Sequence, residues 1–507
     1  LVHGARKRAS QSDVVVTNHS LLLRDIDLDG QILPPISHWV VDEAHGFEGE
    51  ARRQWAREFS GDLVRRGFEQ LGSRKTGTLH NLMVQVSGLA EATLYQRLLT
   101  KLSASSARAS VSCADFLLAL HGLAGQADGS GDYDRVNVWI DARLRESDEW
   151  GSLKQVGGVC LRRLEEAEKD AREAVEALSE VDAPLAGDLR ASTSFLGQLG
   201  ESLSLVLDGS DQSYFYSAEL ARRKRDMPSE RLVAEKLEVG PDLAERWLSQ
   251  MQSVVFTSAT MAVGKSFEHF DHSVGLDALG PDAHRDLRLD SSFDYEDNMS
   301  VVVCKDMPQP NDPRYREALS QLLVDVHTAM GGSVLTLFTN RRDMELVYQQ
   351  VLPRMHERGL ELIMQERGAS PRRLRDQFLA DRSRSLFALR SFWEGFDAAG
   401  DTLRCVVIPK LPFASPKDPL VRERELREDR SWWRHSLPEA VISVKQAAGR
   451  LIRSSSDTGV LVLADSRLVS KRYGRQFTNS LPKQPPCELE CGNVGKYIRM
   501  WRAGHES

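Results

Sequence analysis

An α/β fold, with parallel sheets covered on both faces by helices, is the class this sequence predicts, and three observations predict it. Short apolar runs bounded by polar turns recur at residues 14–16, 39–41, 253–256, 301–303, 334–338, 405–408 and 460–463. Several are continuously apolar rather than alternating, the pattern of strands buried on both faces. Long helical stretches separate them, and a crossover between parallel strands requires such a stretch.

The bulk properties bound the rest. At 507 residues the chain exceeds one core, and domain sizes imply about three. With 41% hydrophobic and 27% charged residues it has an ordinary globular composition. No apolar stretch approaches the roughly 20 residues of a membrane span, so membrane insertion is not expected. Six scattered cysteines fit reduced thiols and a cytoplasmic location. Only Cys487 and Cys491 are close in sequence, without the two further ligands a closed zinc site needs. A net charge of −7 gives no whole-molecule attraction to nucleic acid. The basic clusters at 222–225 and at Arg372, Arg373 and Arg375 are read as solvated faces.

Taken in order, the strand-like runs divide around one different region. Residues 62–204 have few β-branched runs and a helical stripe at Leu161, Leu164, Ala167, Ala171, Ala174, Leu178 and Val181. With 16 Lys/Arg against 21 Asp/Glu, 16 − 21 = −5, this stretch is an acidic all-helical insertion, with a flexible loop over 125–134. The expected layout is a sheet domain at 1–61 and 205–266, interrupted by 62–204, followed by a second sheet domain at 267–507.

Asp42-Glu43-Ala44-His45 stands directly after the run Trp39-Val40-Val41. Asp42 at a strand end can hold Mg²⁺, and Glu43 can orient and deprotonate an attacking water. His45 is placed to sense the γ-phosphate side. A second signal, Gln446-Ala447-Ala448-Gly449-Arg450-Leu451-Ile452-Arg453, would on a helix put Gln446, Arg450 and Arg453 at i, i+4 and i+7 on one face. Two arginines there could neutralise charge on a transferred phosphoryl group. The bland alternative is a salt-bridged surface helix.

Weaker signals surround these two. Thr257-Ser258-Ala259-Thr260 follows the run 253–256, where open α/β sheets bind ligands, although a capped strand-to-helix turn would look the same. Gly264-Lys265-Ser266 mimics the end of a phosphate-binding loop, but that loop requires glycine at 259, where this chain has Ala259. In Ser391-Phe392-Trp393-Glu394-Gly395-Phe396-Asp397, Gly395 permits close backbone approach, Asp397 offers an acceptor and Trp393 could stack on a base, or simply join a core. The 411–419 segment, with Pro412, Pro416 and Pro419, is a rigid loop after a strand.

In this order D-E-A-H, T-S-A-T, S-F-W-E-G-F-D, L-P-F-A-S-P-K-D-P and Q-A-A-G-R-L-I-R resemble the successive motifs of the DinG and XPD-type superfamily 2 DNA helicases, and 16–22 resembles that family's N-H-x-L-L segment. The resemblance implies two RecA-like P-loop NTPase motor domains with a helical arch inserted into the first, and a monomeric motor moving 5′ to 3′ on single-stranded DNA and opening duplex junctions. It implies ATP and Mg²⁺ as cofactors. Asp42 and Glu43 would serve Mg²⁺ and water, with Gly395, Asp397, Gln446, Arg450 and Arg453 at the nucleotide. Asn18, His19, Thr257, Ser258, Thr260, Thr339, Asn340 and Trp393 would face DNA.

Two departures qualify that picture. The family's phosphate loop is missing, and so are the four cysteines on which many members hold a [4Fe–4S] cluster, expected only in a complete protein. Truncation just upstream of Leu1 would explain both, and the fragment alone is expected to hydrolyse ATP poorly. The alternatives are a catalytically inactive, helicase-like scaffold for single-stranded nucleic acid and an RNA-directed motor.

Overall fold

The computed structural model describes residues 2–89, 91–126, 135–180, 183–221, 229–280, 282–389, 392, 402–483 and 485–505. Its strands are β1 (His38–Val41), β2 (Arg57–Ser60), β3 (Arg135–Trp139), β4 (Tyr214–Ala221), β5 (Arg231–Lys236), β6 (Ser253–Phe256), β7 (Met299–Cys304), β8 (Val334–Leu337), β9 (Glu361–Met364), β10 (Arg384–Ala388), β11 (Cys405–Ile408), β12 (Gly459–Leu463) and β13 (Cys487–Leu489). The chain divides into two compact units. The first is 1–37, 46–252 and 415–429, and the second is 38–45, 253–414 and 430–507. This division by contacts follows a different line from the segments expected above, because β1 and β6 group with the second half of the chain.

The first unit is built on three long helices, Ala92–His121, Asp148–Ser179 and Ala183–Asp208. Ser147 caps the second of these, accepting the Trp150 N–H at 3.2 Å, and Asp148 and Glu149 in its first turn favour the helix dipole. Leu153, Cys160, Leu164, Ala171 and Leu178 recur along its buried stripe and enter one core with Phe116 and Leu203. Gly157 lets the third helix approach, since a Cβ there would lie 2.5 Å from Leu207 Cδ1.

The expectation of an all-helical insertion is corrected in one respect. Residues 135–139 form β3, which pairs antiparallel with β4 in a four-stranded sheet of order β2-β5-β4-β3. The strand is five residues long and gains its hydrogen bonds from a partner about 80 positions away, so local periodicity did not mark it. Most of the expected 125–134 loop, and the 222–225 cluster, lie outside the described residues.

The second unit contains two parallel sheets. One is the pair β1-β6, registered Val41 to Phe256. The other has seven parallel strands in the order β13-β7-β12-β11-β8-β10-β9. Its sequence runs are continuously apolar because alternate residues feed different cores. Val301, Val303, Val406, Leu461 and Leu463 enter one, while Val302, Val407, Val460 and Val462 enter the other. The expected strand at 14–16 does not form. Val14 and Val16 are 78% and 92% exposed and outside any named strand, so neither backbone pairing nor burial rewards an extended ladder there.

Candidate hydrolytic site

The Asp42–His45 segment leaves β1 in a sharp turn. Glu43 adopts φ +49°, a left-handed conformation that costs a non-glycine residue on the order of 1–3 kcal/mol. Two backbone hydrogen bonds hold the turn against the segment after β6: Thr257 N–H donates to Val41 O at 2.9 Å, and Ala44 N–H donates to Thr257 O at 3.1 Å. Parallel pairing of β1 with β6 thus continues past the strand ends and brings D-E-A-H against T-S-A-T.

The side chains complete the junction through one hydroxyl. Ser258 Oγ lies 2.8 Å from His45 Nδ1 and 3.3 Å from Glu43 Oε2, and Thr260 N–H donates to it at 3.3 Å. A serine hydroxyl donates once and accepts twice. Donation to Glu43, with acceptance from Thr260 N–H and a His45 Nδ1–H, uses that capacity fully. His45 Nδ1 also lies 3.2 Å from Glu43 Oε2. Asp42, Glu43 and Thr257 are exposed, whereas Thr260 is buried. Two adjacent exposed carboxylates are the donor chemistry a hard divalent cation takes.

The second arginine-bearing motif departs from expectation. The helix Leu437–Ala448 ends before Arg450, so Gln446, Arg450 and Arg453 do not share one helical face. Gly449 caps the helix, and the Asp457 carboxylate then accepts the Arg453 and Ser454 N–H groups, both at 2.9 Å, which fixes a loop in place of another turn. Leu451 packs tightly over Gly459, where a Cβ would sit 2.9 Å from its own Cβ. Arg450 is buried and Arg453 exposed, so the two guanidinium groups occupy different environments.

Other candidates have local structural work in view. Asn18 caps the helix His19–Asp27, accepting Leu21 N–H at 2.9 Å, and the His19 ring meets Phe47 edge-on at 5.3 Å. Thr339 follows β8, and Asn340 caps the helix Arg341–His356 through Asp343 N–H at 2.8 Å. Trp393, Gly395 and Asp397 lie outside the described residues. Gly264-Lys265-Ser266 is a tight turn, with Gly264 at φ +61° and its N–H donated to Ser480 Oγ at 2.8 Å, consistent with its rejection as a phosphate loop.

Lys445 was not singled out from the sequence. Its Nζ donates to Ala262 O at 2.7 Å, joining the helix that carries Gln446 to the segment after T-S-A-T. Burial, then the nearby Arg288 charge, pull its pKa down to about 8. A lysine before Q-A-A-G reads as solvated, and no local pattern distinguishes this one.

The six cysteines are divided between the two units. Cys113, Cys160, Cys304 and Cys405 are buried in helices and strands, and Cys113 and Cys160 face each other at 3.6 Å within the helical core. No helix among the described residues is long and apolar enough to cross a membrane.

Comparison with known proteins places these residues in context. Residues 323–484 match the helicase C-terminal domain family. The chain is 29% identical over 527 residues to the Bacillus subtilis protein named 3'-5' exonuclease DinG, covering 97% of this chain and 54% of that one. It is 29% identical to the Escherichia coli ATP-dependent DNA helicase YoaA, covering 95% and 68%. The chain therefore spans about half the length of the first relative and two thirds of the second. Among solved structures, Xpd4 of S. tokodaii is similar at 14% identity and a TM-score of 0.49, covering 93% of this chain and 80% of that one.

Proposed function

From its likeness to the DinG and YoaA helicases, we propose that the chain is a DinG/XPD-type superfamily 2 helicase and forms most of an ATP-driven motor that moves 5′ to 3′ along single-stranded DNA and opens duplex junctions. Residues 1–61 and 205–266 would belong to the first motor domain, 62–204 to its arch, and 267–507 to the second. The observation that carries the reading is the Glu43–Ser258–His45 triangle at the joined ends of β1 and β6.

In this reading Glu43 accepts the proton of the attacking water, and Ser258 and His45 aim its carboxylate. Asp42 would hold Mg²⁺, which when bound supplies charge neutralisation at the phosphates. Arg450 and Arg453 would reach the γ-phosphate separately, one from a buried position and one from a solvent-facing loop. Ser258 ties the hydrolytic carboxylate to Thr257 and Thr260, the residues assigned to the DNA side. A change at the nucleotide therefore has a short hydrogen-bonded route to the track. Trp393, Gly395 and Asp397 are proposed on motif position alone.

The deciding experiment is Glu43→Gln in the full-length protein. Turnover of ATP stimulated by single-stranded DNA should fall at least about a hundredfold, with nucleotide affinity retained. Full activity in this variant would refute the assignment of the base. Stimulation by RNA but not DNA would redirect the motor to the other nucleic acid, and DNA binding without any turnover in the native protein would favour the inactive scaffold.

A further inference from the structure

Between the helix Glu268–Val274 and β7 lies a side-chain group that the proposed hydrolysis does not use. Asp271, His284 and Asp286 each bring one ligand atom to within 4.8 Å of the others. His284 Nε2 is 3.7 Å from Asp271 Oδ2. Asp271 is half-buried on its helix, while Asp286 is exposed on the irregular segment that leads to β7.

Two features of the group point to a cation. The Asp271 and Asp286 carboxylates come within 4.8 Å of each other, so two like charges lie close together beside a single imidazole. His284 Nδ1 is buried and has no hydrogen-bond partner among the described residues. A cation beside the three residues would offset the carboxylate repulsion.

We propose that Asp271, His284 and Asp286 form a binding site for a divalent transition metal ion of the zinc class, which fastens the segment around 282–292 to the helix Glu268–Val274. One imidazole nitrogen with two carboxylate oxygens suits zinc, whereas magnesium and calcium favour all-oxygen sets. Metal–ligand bonds of about 2.0–2.2 Å would draw the ligand atoms to about 3–3.5 Å apart. Because Asp286 sits on an exposed irregular segment, side-chain rotation and a small backbone shift can supply that contraction. Three protein ligands leave room for water.

The site would act on the motor's mechanics rather than its chemistry. Arg288, two residues beyond Asp286, donates through Nη1 to Gly264 O at 3.0 Å, and Gly264 is four residues beyond Thr260. Fixing 282–292 therefore also braces the turn after T-S-A-T.

Titration of the full chain with Zn²⁺, and with Co²⁺ as a spectroscopic probe, tests the proposal. It should be run in an Asp42→Asn, Glu43→Gln background so that the hydrolytic carboxylates do not compete. One equivalent should bind, with Co²⁺ bands free of thiolate charge transfer, and zinc should slow proteolytic cleavage within 282–292. His284→Ala and Asp286→Asn should each weaken binding by about tenfold or more. Asp286→Asn, at an exposed position, keeps the test valid if His284→Ala fails to fold. Affinity unchanged in Asp286→Asn, a thiolate band, or no saturable binding would each overturn the proposal.

Discussion

Two parallel sheets in the same unit arise from the same kind of apolar sequence and end in opposite environments. In the seven-stranded sheet, β7, β8, β11 and β12 are buried along their whole length, with a hydrophobic core on each face. In the β1-β6 pair, Val40 and Val255 face each other in register and are 71% and 53% exposed. An apolar run thus announces a strand without naming what covers it. The difference also shows how each sheet positions residues. Packing orders the larger sheet, whereas the Asp42–His45 turn at the end of β1 is held by hydrogen bonds to the segment after β6.

The comparison breaks most directly by substitution in both sheets. Leu461→Ala should cost about 2–5 kcal/mol, because it empties a fully enclosed position. Val255→Thr should stay within about 0.5 kcal/mol, because its side chain already meets solvent. Urea unfolding of the two variants measures both. An equal loss at Val255 would mean that its face is covered in the folded protein.

The covered sheet also carries an acid liability. His327 is fully buried behind β8, with Nε2 3.3 Å from Thr336 Oγ1, and burial lowers its pKa to about 3. Its folded pKa lies below the unfolded value of about 6.5, so the unfolded chain binds more protons between them. Stability is then intact above about pH 6.5 and falls on acidification below it, by up to about 1.4 kcal/mol per pH unit. Urea midpoints for wild type and His327→Gln between pH 7.5 and 5 should diverge, with the variant nearly flat across this step.

These contrasts explain what the sequence made legible. The runs at 301–303, 334–338, 405–408 and 460–463 were recognisable because burial on both faces leaves them almost wholly apolar, Thr336 being the exception. The run at 14–16 looked the same and forms no strand, since nothing local reveals whether an apolar triplet will find a partner. β3 was missed for the converse reason, as its pairing is remote and its residues mix Arg135 and Asn137 with Val136 and Val138. At the site, the identity of D-E-A-H and T-S-A-T was readable, but not that one serine hydroxyl would join them. The helical spacing of Gln446, Arg450 and Arg453 misled because Asp457, beyond the motif, captures the Arg453 amide and ends the repeat.

A last pair of substitutions separates backbone from chemistry at Glu43. Its φ of +49° is a conformation glycine adopts freely and a β-branched residue resists. Glu43→Gly and Glu43→Val both remove the carboxylate, so both should lose hydrolysis. Their stabilities should differ. The glycine variant should remain within about 1 kcal/mol of wild type, since relief of strain offsets the greater freedom of its unfolded chain. The valine variant should be less stable by about 1–2 kcal/mol. Hydrogen exchange at the Ala44 and Thr257 amides reads this locally, because those amides carry the bonds joining the β1 turn to the β6 end. Faster exchange in the valine variant alone would show that the strained turn is held by its hydrogen bonds. Equal protection in both variants would shift the support from these hydrogen bonds to side-chain packing around the turn.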